Sequence, residues 1–148
     1  GYHTSMIESS MMINDKMPAY CVERAGKILN RFRKSLNGSR VLVLGVAYKQ
    51  DIDDYRESPA LRVIEELEKT GADVIYYDPW VRQYRFKGQE RVSEPELTAE
   101  LIESADLVMI TAAHTNVDYK LVQRHAKAVF DTKNGMKNIE NRENIEVL

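Results

Sequence analysis

The chain has 148 residues, 43% hydrophobic and 30% charged, with a formal net charge of −2 at pH 7. That composition fits one globular domain, or one domain with an appendage. It gives no basic field for nucleic acid, no run of about 18 apolar residues to cross a membrane and no signal-peptide pattern at its start. A single cysteine, Cys21, excludes an internal disulfide framework and fits a reducing, cytoplasmic setting. His3, His114 and His125 are scattered and show no metal-ligand spacing with Cys21.

Residues 1–36 read as helical. Val22, Ala25, Leu29 and Phe32 recur at three- and four-residue steps, one face of a helix. Residues 6–13 (MIESSMMI) read as an earlier helix on the same axis. Pro18 then marks a kink, or a new helix capped by Asn14 or Asp15. Asn37-Gly38-Ser39 punctuates. Val41 to Val46 is a β-rich apolar run, as in a strand buried on both faces. Ser58 as N-cap and Pro59 at the first helical position predict a helix, with Leu61, Ile64 and Leu67 inward and Gly71 past its end.

Residues 72–77 (ADVIYY) predict the second strand, closed by Asp78-Pro79, and residues 80–92 read as polar and irregular. The spacing of Ser93 and Glu96 suggests a capping box opening a helix over 93–104. Residues 107–112 predict a third strand, 118–126 a short helix and 128–130 a fourth strand. The tail NIENRENIEVL is ambiguous. The alternation predicts an α/β fold, a doubly wound parallel sheet preceded by a long helical segment. Ligands of such sheets bind outside the carboxyl ends of the strands. Those ends are residues 47–57, 78–82, 113–118 and 131–136.

The connection GVAYKQDIDDYRESPAL lacks a GxGxxG turn: that spacing gives Gly45, Ala47 and Gln50. At about ten residues it exceeds the roughly 2–6 of ordinary strand-to-helix loops. Asp51, Asp53, Asp54 and Glu57 repel a diphosphate, so Lys49 and Arg56 must do the attracting, as two cations in an acidic frame. The bland alternative is a solvated acidic loop. Asp78 is either a ribose ligand or a turn residue before Pro79. His114 needs an orienting partner to act as a general base and is otherwise a loop histidine. Lys133, in DTKN, is a candidate for phosphate or carboxylate, or a surface lysine. Trp80 and Tyr84 either stack on a base or cover the sheet end. Cys21 reads as packed, with no basic neighbour placed to activate it.

Gly45, Ala47, Tyr48, Lys49, Asp51, Asp54, Arg56, Ser58 and Pro59 meet the pattern G-[FVL]-[AS]-[FY]-K-x-[DN]-x-x-D-x-R-x-S-P. On this stretch the chain resembles the C-terminal domain of the UDP-glucose/GDP-mannose dehydrogenase family. It is most similar there to the UDP-N-acetyl-hexosamine 6-dehydrogenases. GYHTSMIESSMMINDKMP, SADLVMITAAHT and VFDTKN extend the likeness over nearly the whole chain.

The resemblance implies a Rossmann-like UDP-sugar-binding domain over 37–148. Residues 1–36 would be part of a central helix used for homodimerisation. It implies an enzyme that oxidises C6 of a nucleotide sugar twice with NAD. Tyr48, Lys49 and Lys133 would contact the UDP-sugar, with Lys133 where relatives carry arginine, and Arg56 would reach NAD bound by another domain. Ser5 receives no role. The family's catalytic cysteine lies in a GGxCxxKD stretch that this sequence lacks, so Cys21 does not inherit it and no catalytic residue is expected here. The expectation is a piece of the enzyme, inactive by itself. A free-standing nucleotide-binding module or a dimerisation module is the alternative.

Overall fold

A computed structural model describes the backbone of residues 2–148 and the side chains of residues 16–148. In chain order the elements are α1 (Tyr2–Asn30), β1 (Arg40–Leu44), α2 (Pro59–Lys69), β2 (Asp73–Tyr77), β3 (Gln83–Phe86) and β4 (Gln89–Val92). They continue with α3 (Ala99–Ser104), β5 (Leu107–Ile110), α4 (Tyr119–His125), β6 (Val129–Asp131) and β7 (Ile145–Val147). Five strands form one sheet in the order β2-β1-β5-β6-β7, and every neighbouring pair is parallel.

Strand periodicity divides the core in two. Val41 and Val43 of β1, with Leu107 and Met109 of β5, pack with Leu61, Ile64 and Leu67 of α2 and with Cys21, Ala25, Ile28 and Leu29 of α1. Leu42, Leu44, Val108 and Ile110 point the other way, to Ile102 of α3 and Val122 of α4. Both faces are therefore covered, as the doubly wound reading requires. The chain runs outward from β1 to β2 and resumes on the other side at β5. The switch point thus lies between the carboxyl ends of β1 and β5.

Several boundaries differ from the sequence reading. The first helix ends at Asn30 rather than near residue 36, and Phe32 lies beyond it, half exposed. Segment 6–13 and the residues after Pro18 belong to the same element. The side chains of His3, Ser5, Asn14 and Asp15 lie outside the described residues. Residues 80–92 hold a hairpin whose turn, Lys87-Gly88, has positive φ at both positions (51° and 78°), the two-residue geometry that matches strand twist.

The helix expected from Ser93 starts instead at Ala99, with Thr98 Oγ1 accepting from Leu101 N at 3.1 Å. Ser93 is drawn inward: its Oγ accepts from Asp78 N at 3.0 Å and donates to Glu94 O at 2.9 Å. The ambiguous tail supplies β7, whose Glu146 pairs with Arg24 at 2.9 Å and with Arg31 at 2.6 Å, tying the sheet edge to α1 and the residues after it. Among the described residues no helix is long and apolar enough to cross a membrane.

β1 ends at Leu44 because Gly45 turns the chain with φ +85°. A Cβ there would collide with the Ala112 carbonyl and sit 2.7 Å from the Ala112 Cβ. Gly45→Ala is therefore expected to destabilise the fold by about 1–3 kcal/mol, from left-handed strain plus the clash. Urea denaturation measures it as a lower midpoint at unchanged slope.

Candidate functional site

A cleft of about 530 Å³ opens at the carboxyl edge of the sheet. Tyr48, Lys49, Arg56 and Lys133 all line it, although they come from two loops about 80 residues apart. Ser58, Pro59 and Ala60 at the start of α2 form one wall. Met17 and Cys21 of α1, with Val63 and Phe86, add apolar surface. Among the described residues, four cationic side chains face it (Lys49, Arg56, Arg62 and Lys133) against one acidic side chain, Glu57. An acidic chain thus carries a locally positive cleft, which concentrates anions.

The loop that carries two of these cations is closed at its base, where Tyr48 N donates to Asp54 O at 2.7 Å. Ile52 and Tyr55 are half-buried against the core. Ser58 Oγ donates to Ala47 O at 3.2 Å and accepts from Ala60 N at 3.2 Å. Leu61 N bonds Ser58 O, and Pro59 has no N–H. The first amides of α2 are therefore spent internally, and the helix offers the cleft its dipole field rather than free donors. At this end of α2, anion binding falls to side chains.

The acidic frame is real for Arg56 alone. Its guanidinium lies on Asp54, with Nε–Oδ1 at 3.1 Å and Nη2–Oδ2 at 3.3 Å, and it is otherwise exposed. That pair holds the Asp54 carboxyl below its usual range. Lys49 has no ion-pair partner among the described residues; its ammonium lies 5.9 Å from the Tyr48 ring centroid. Lys133 is likewise without an ion pair. Its loop is shaped by Asp131, which is fully buried and accepts from Lys133 N (3.1 Å), Gly135 N (3.0 Å) and Met136 N (2.8 Å).

Asp78 is not a ligand residue. It is fully buried, and its carboxylate accepts from Val46 N (2.8 Å), Trp80 N (2.8 Å) and Val81 N (2.9 Å), with His114 Nε2 at 2.9 Å. Burial opposes its ionisation, but the bonds from His114, Val46 and Val81 outweigh it and hold the carboxyl below its ordinary range. His114 is fully buried too, and its Nδ1 accepts from Asp51 N at 2.8 Å. Both ring nitrogens are engaged, so no nitrogen is left to act as a base.

Tyr84 is buried between Tyr55 (5.8 Å between centroids) and Tyr76 (5.3 Å), and it covers the sheet end. Trp80 lies outside the cleft, 6.4 Å from the His114 ring. Cys21 does have cations near, Lys133 and Arg24, contrary to the sequence reading. Burial still wins and pushes its thiol up, so it remains a packed thiol.

Sequence reasoning missed Arg62 and Asp131. Arg62 follows Pro59 by one turn, so helical spacing carried a signal for it. The roles of Met17 and Cys21 as cleft walls had none, because that contact is long-range.

A parallel, doubly wound sheet with a cationic cleft at its carboxyl edge defines a nucleotide-type Rossmann-like domain. Residues 42–138 match the UDP binding domain of the UDP-glucose/GDP-mannose dehydrogenase family, and the chain belongs to that family. A UDP-N-acetyl-D-mannosamine dehydrogenase of Methanocaldococcus jannaschii is 32% identical over 140 residues, 89% of this chain and 30% of that protein. The solved UDP-N-acetyl-mannosamine dehydrogenase from S. aureus matches with a TM-score of 0.70 at 30% identity, over 99% of this chain and 33% of that one. The UDP-D-ManNAc dehydrogenase from Pyrococcus horikoshii gives 0.74 at 26% identity, over 92% of this chain and 31% of that one. The chain therefore spans about 30% of the length of the relatives it matches.

Asp78→Asn turns one acceptor into a donor facing N–H groups and is expected to cost about 2–3 kcal/mol. Because the folded carboxyl titrates lower than the unfolded one, this contribution is complete above the ordinary carboxylate range. It fades as pH falls through the folded value. Unfolding curves from neutral to acidic pH should show wild type and variant converging at the acidic end.

Proposed function

We propose that residues 37–148 form the UDP-sugar half of the active cleft of an NAD-dependent nucleotide-sugar 6-dehydrogenase. The substrate would be a UDP-N-acetylhexosamine or UDP-hexose. The observation that carries this is the convergence of Lys49 and Lys133, neither ion-paired among the described residues, on one cleft beside Tyr48. Their spare charge suits a diphosphate. The exposed Tyr48 ring offers a flat apolar face, with the Lys49 ammonium 5.9 Å from its centroid. Lys133 would contact the substrate as a point charge rather than a planar fork.

The hydride acceptor for the sugar carbon would be NAD, held mainly by another domain. The described residues include no glycine-rich turn that would hold its diphosphate. What fits is Arg56, exposed at the cleft rim and held flat by two bonds to Asp54, poised to meet a phosphate brought by another domain. Closure over the cleft would then couple the two ligands. The catalytic thiol and the base would also come from outside these residues. The reading extends to a homodimer through α1, where Tyr20 is exposed, and to a cytoplasmic setting, consistent with the single buried thiol, Cys21.

Titrating the chain with UDP and UDP-N-acetylglucosamine by calorimetry tests the reading. Weak but measurable binding fits half a site, and tight binding favours a self-sufficient module. Lys49→Ala should weaken UDP binding about tenfold, the effect of losing one charge-assisted bond at an exposed site. Binding unchanged by that substitution would contradict the assignment. Incubated with NAD and a UDP-sugar, the chain alone should yield no NADH by absorbance, and a sustained signal would overturn the half-site account.

A further inference from the structure

We propose that His114 is a positioning residue of the nucleotide-sugar site, fixing the 47–57 loop in the shape that presents Tyr48 and Lys49. The proposal rests on the UDP-sugar reading above and adds to it a residue that never touches the ligand.

The loop's base is closed by the Tyr48–Asp54 backbone bond, but its apex needs another anchor. The apex is Asp51, two residues from Lys49, and it has φ +60°. Aspartate is among the few side chains that enter this region, and it does so with the help of hydrogen bonds to its short carboxylate. Three hydrogen bonds supply the hold, all from the segment after β5. Asp51 N donates to His114 Nδ1 (2.8 Å), Thr115 N donates to Asp51 Oδ1 (2.9 Å) and Thr115 Oγ1 donates to Asp51 Oδ2 (2.8 Å). They span the switch point between β1 and β5.

His114 can serve as an anchor because it is itself immobilised. It has no solvent exposure, and its carbonyl accepts from Tyr119 Oη at 2.8 Å. Its Nε2 lies 2.9 Å from Asp78 Oδ2. An ionised carboxylate only accepts, so Nε2 must carry the proton. Nδ1 is then left with its lone pair facing the Asp51 N–H. Asp78 therefore selects the tautomer that the loop requires, and the buried Asp–His pair works as a tautomer lock instead of a catalytic dyad. Holding Lys49 in place before the ligand arrives spares the ordering cost that binding would otherwise carry.

Two substitutions divide the two halves of the ring. His114→Gln places an amide near the former Nε2, keeping a donor for Asp78 and losing the acceptor for Asp51. His114→Asn places an amide oxygen near the former Nδ1, keeping that acceptor and losing the Asp78 bond. Hydrogen exchange over residues 49–54, UDP affinity and thermal stability would be measured on each. His114→Gln should speed loop exchange and weaken UDP binding, each by about five- to tenfold, the size of one lost hydrogen bond. His114→Asn should leave both near wild type even where it lowers the melting temperature as much.

Thr115→Val removes an exposed bond to the same apex, is safe for folding and should shift exchange in the same direction as His114→Gln. If affinity and exchange simply follow the melting temperature across the three variants, or if loop exchange in both His114→Gln and Thr115→Val matches wild type, the proposal is overturned. A wild-type chain that binds no UDP would contradict the nucleotide reading instead, and loop exchange would still decide the role of His114.

Discussion

The carboxyl edge of this sheet is organised around a buried charge. Placing the Asp78 carboxylate in the interior costs several kcal/mol unless donors surround it. Three backbone amides and the His114 ring do so, from the end of β1, the turn after β2 and the segment after β5. Removing any member of such a network leaves a buried polar group unsatisfied and lowers stability. Three strand ends are thereby fixed to one another at the switch point. Asp131 does the same for the loop after β6, gathering three amides about a second buried carboxylate.

That arrangement explains why the long first loop can bear several acidic residues in a place where other α/β proteins put glycines. A glycine-rich turn offers backbone N–H groups to a phosphate. Here several amides near the cleft point inward, to Asp78, Asp131, Ser58 and His114. The acidic side chains of the loop are partly occupied as well, Asp54 with Arg56 and Asp51 with Thr115. What remains for a ligand is the set of outward cations, on backbone held rigid from below. The division is one of labour between buried carboxylates that shape the loops and exposed amines that meet an anion.

Much of this was legible in the sequence. The apolar run at Val41, the Ser58-Pro59 helix start and the strand-helix alternation specified the doubly wound sheet, because each depends on local pattern. The motif around Tyr48 and Lys49 pointed to its carboxyl edge, where both residues line the cleft. The hairpin after Trp80 was missed because its strands are polar, although Lys87-Gly88 marks a two-residue turn. Ser93 read as a helix cap and is instead claimed by Asp78, a tertiary partner that outcompetes local propensity. β7 was ambiguous because its parallel pairing with β6 has no local signature. The Asp78–His114–Asp51 connection, which joins residues 63 apart at its widest, was invisible for the same reason.

The central claim is that the cationic cleft at the carboxyl edge receives the diphosphate of a UDP-sugar. A crystal structure of the chain grown with UDP tests it most directly. The account predicts the diphosphate between Lys49 and Lys133, beside the start of α2. UDP found instead in the second cleft, between α2 and the β3–β4 hairpin and walled by Ile64, Tyr84 and Phe86, with the Lys49 cleft empty, would contradict it.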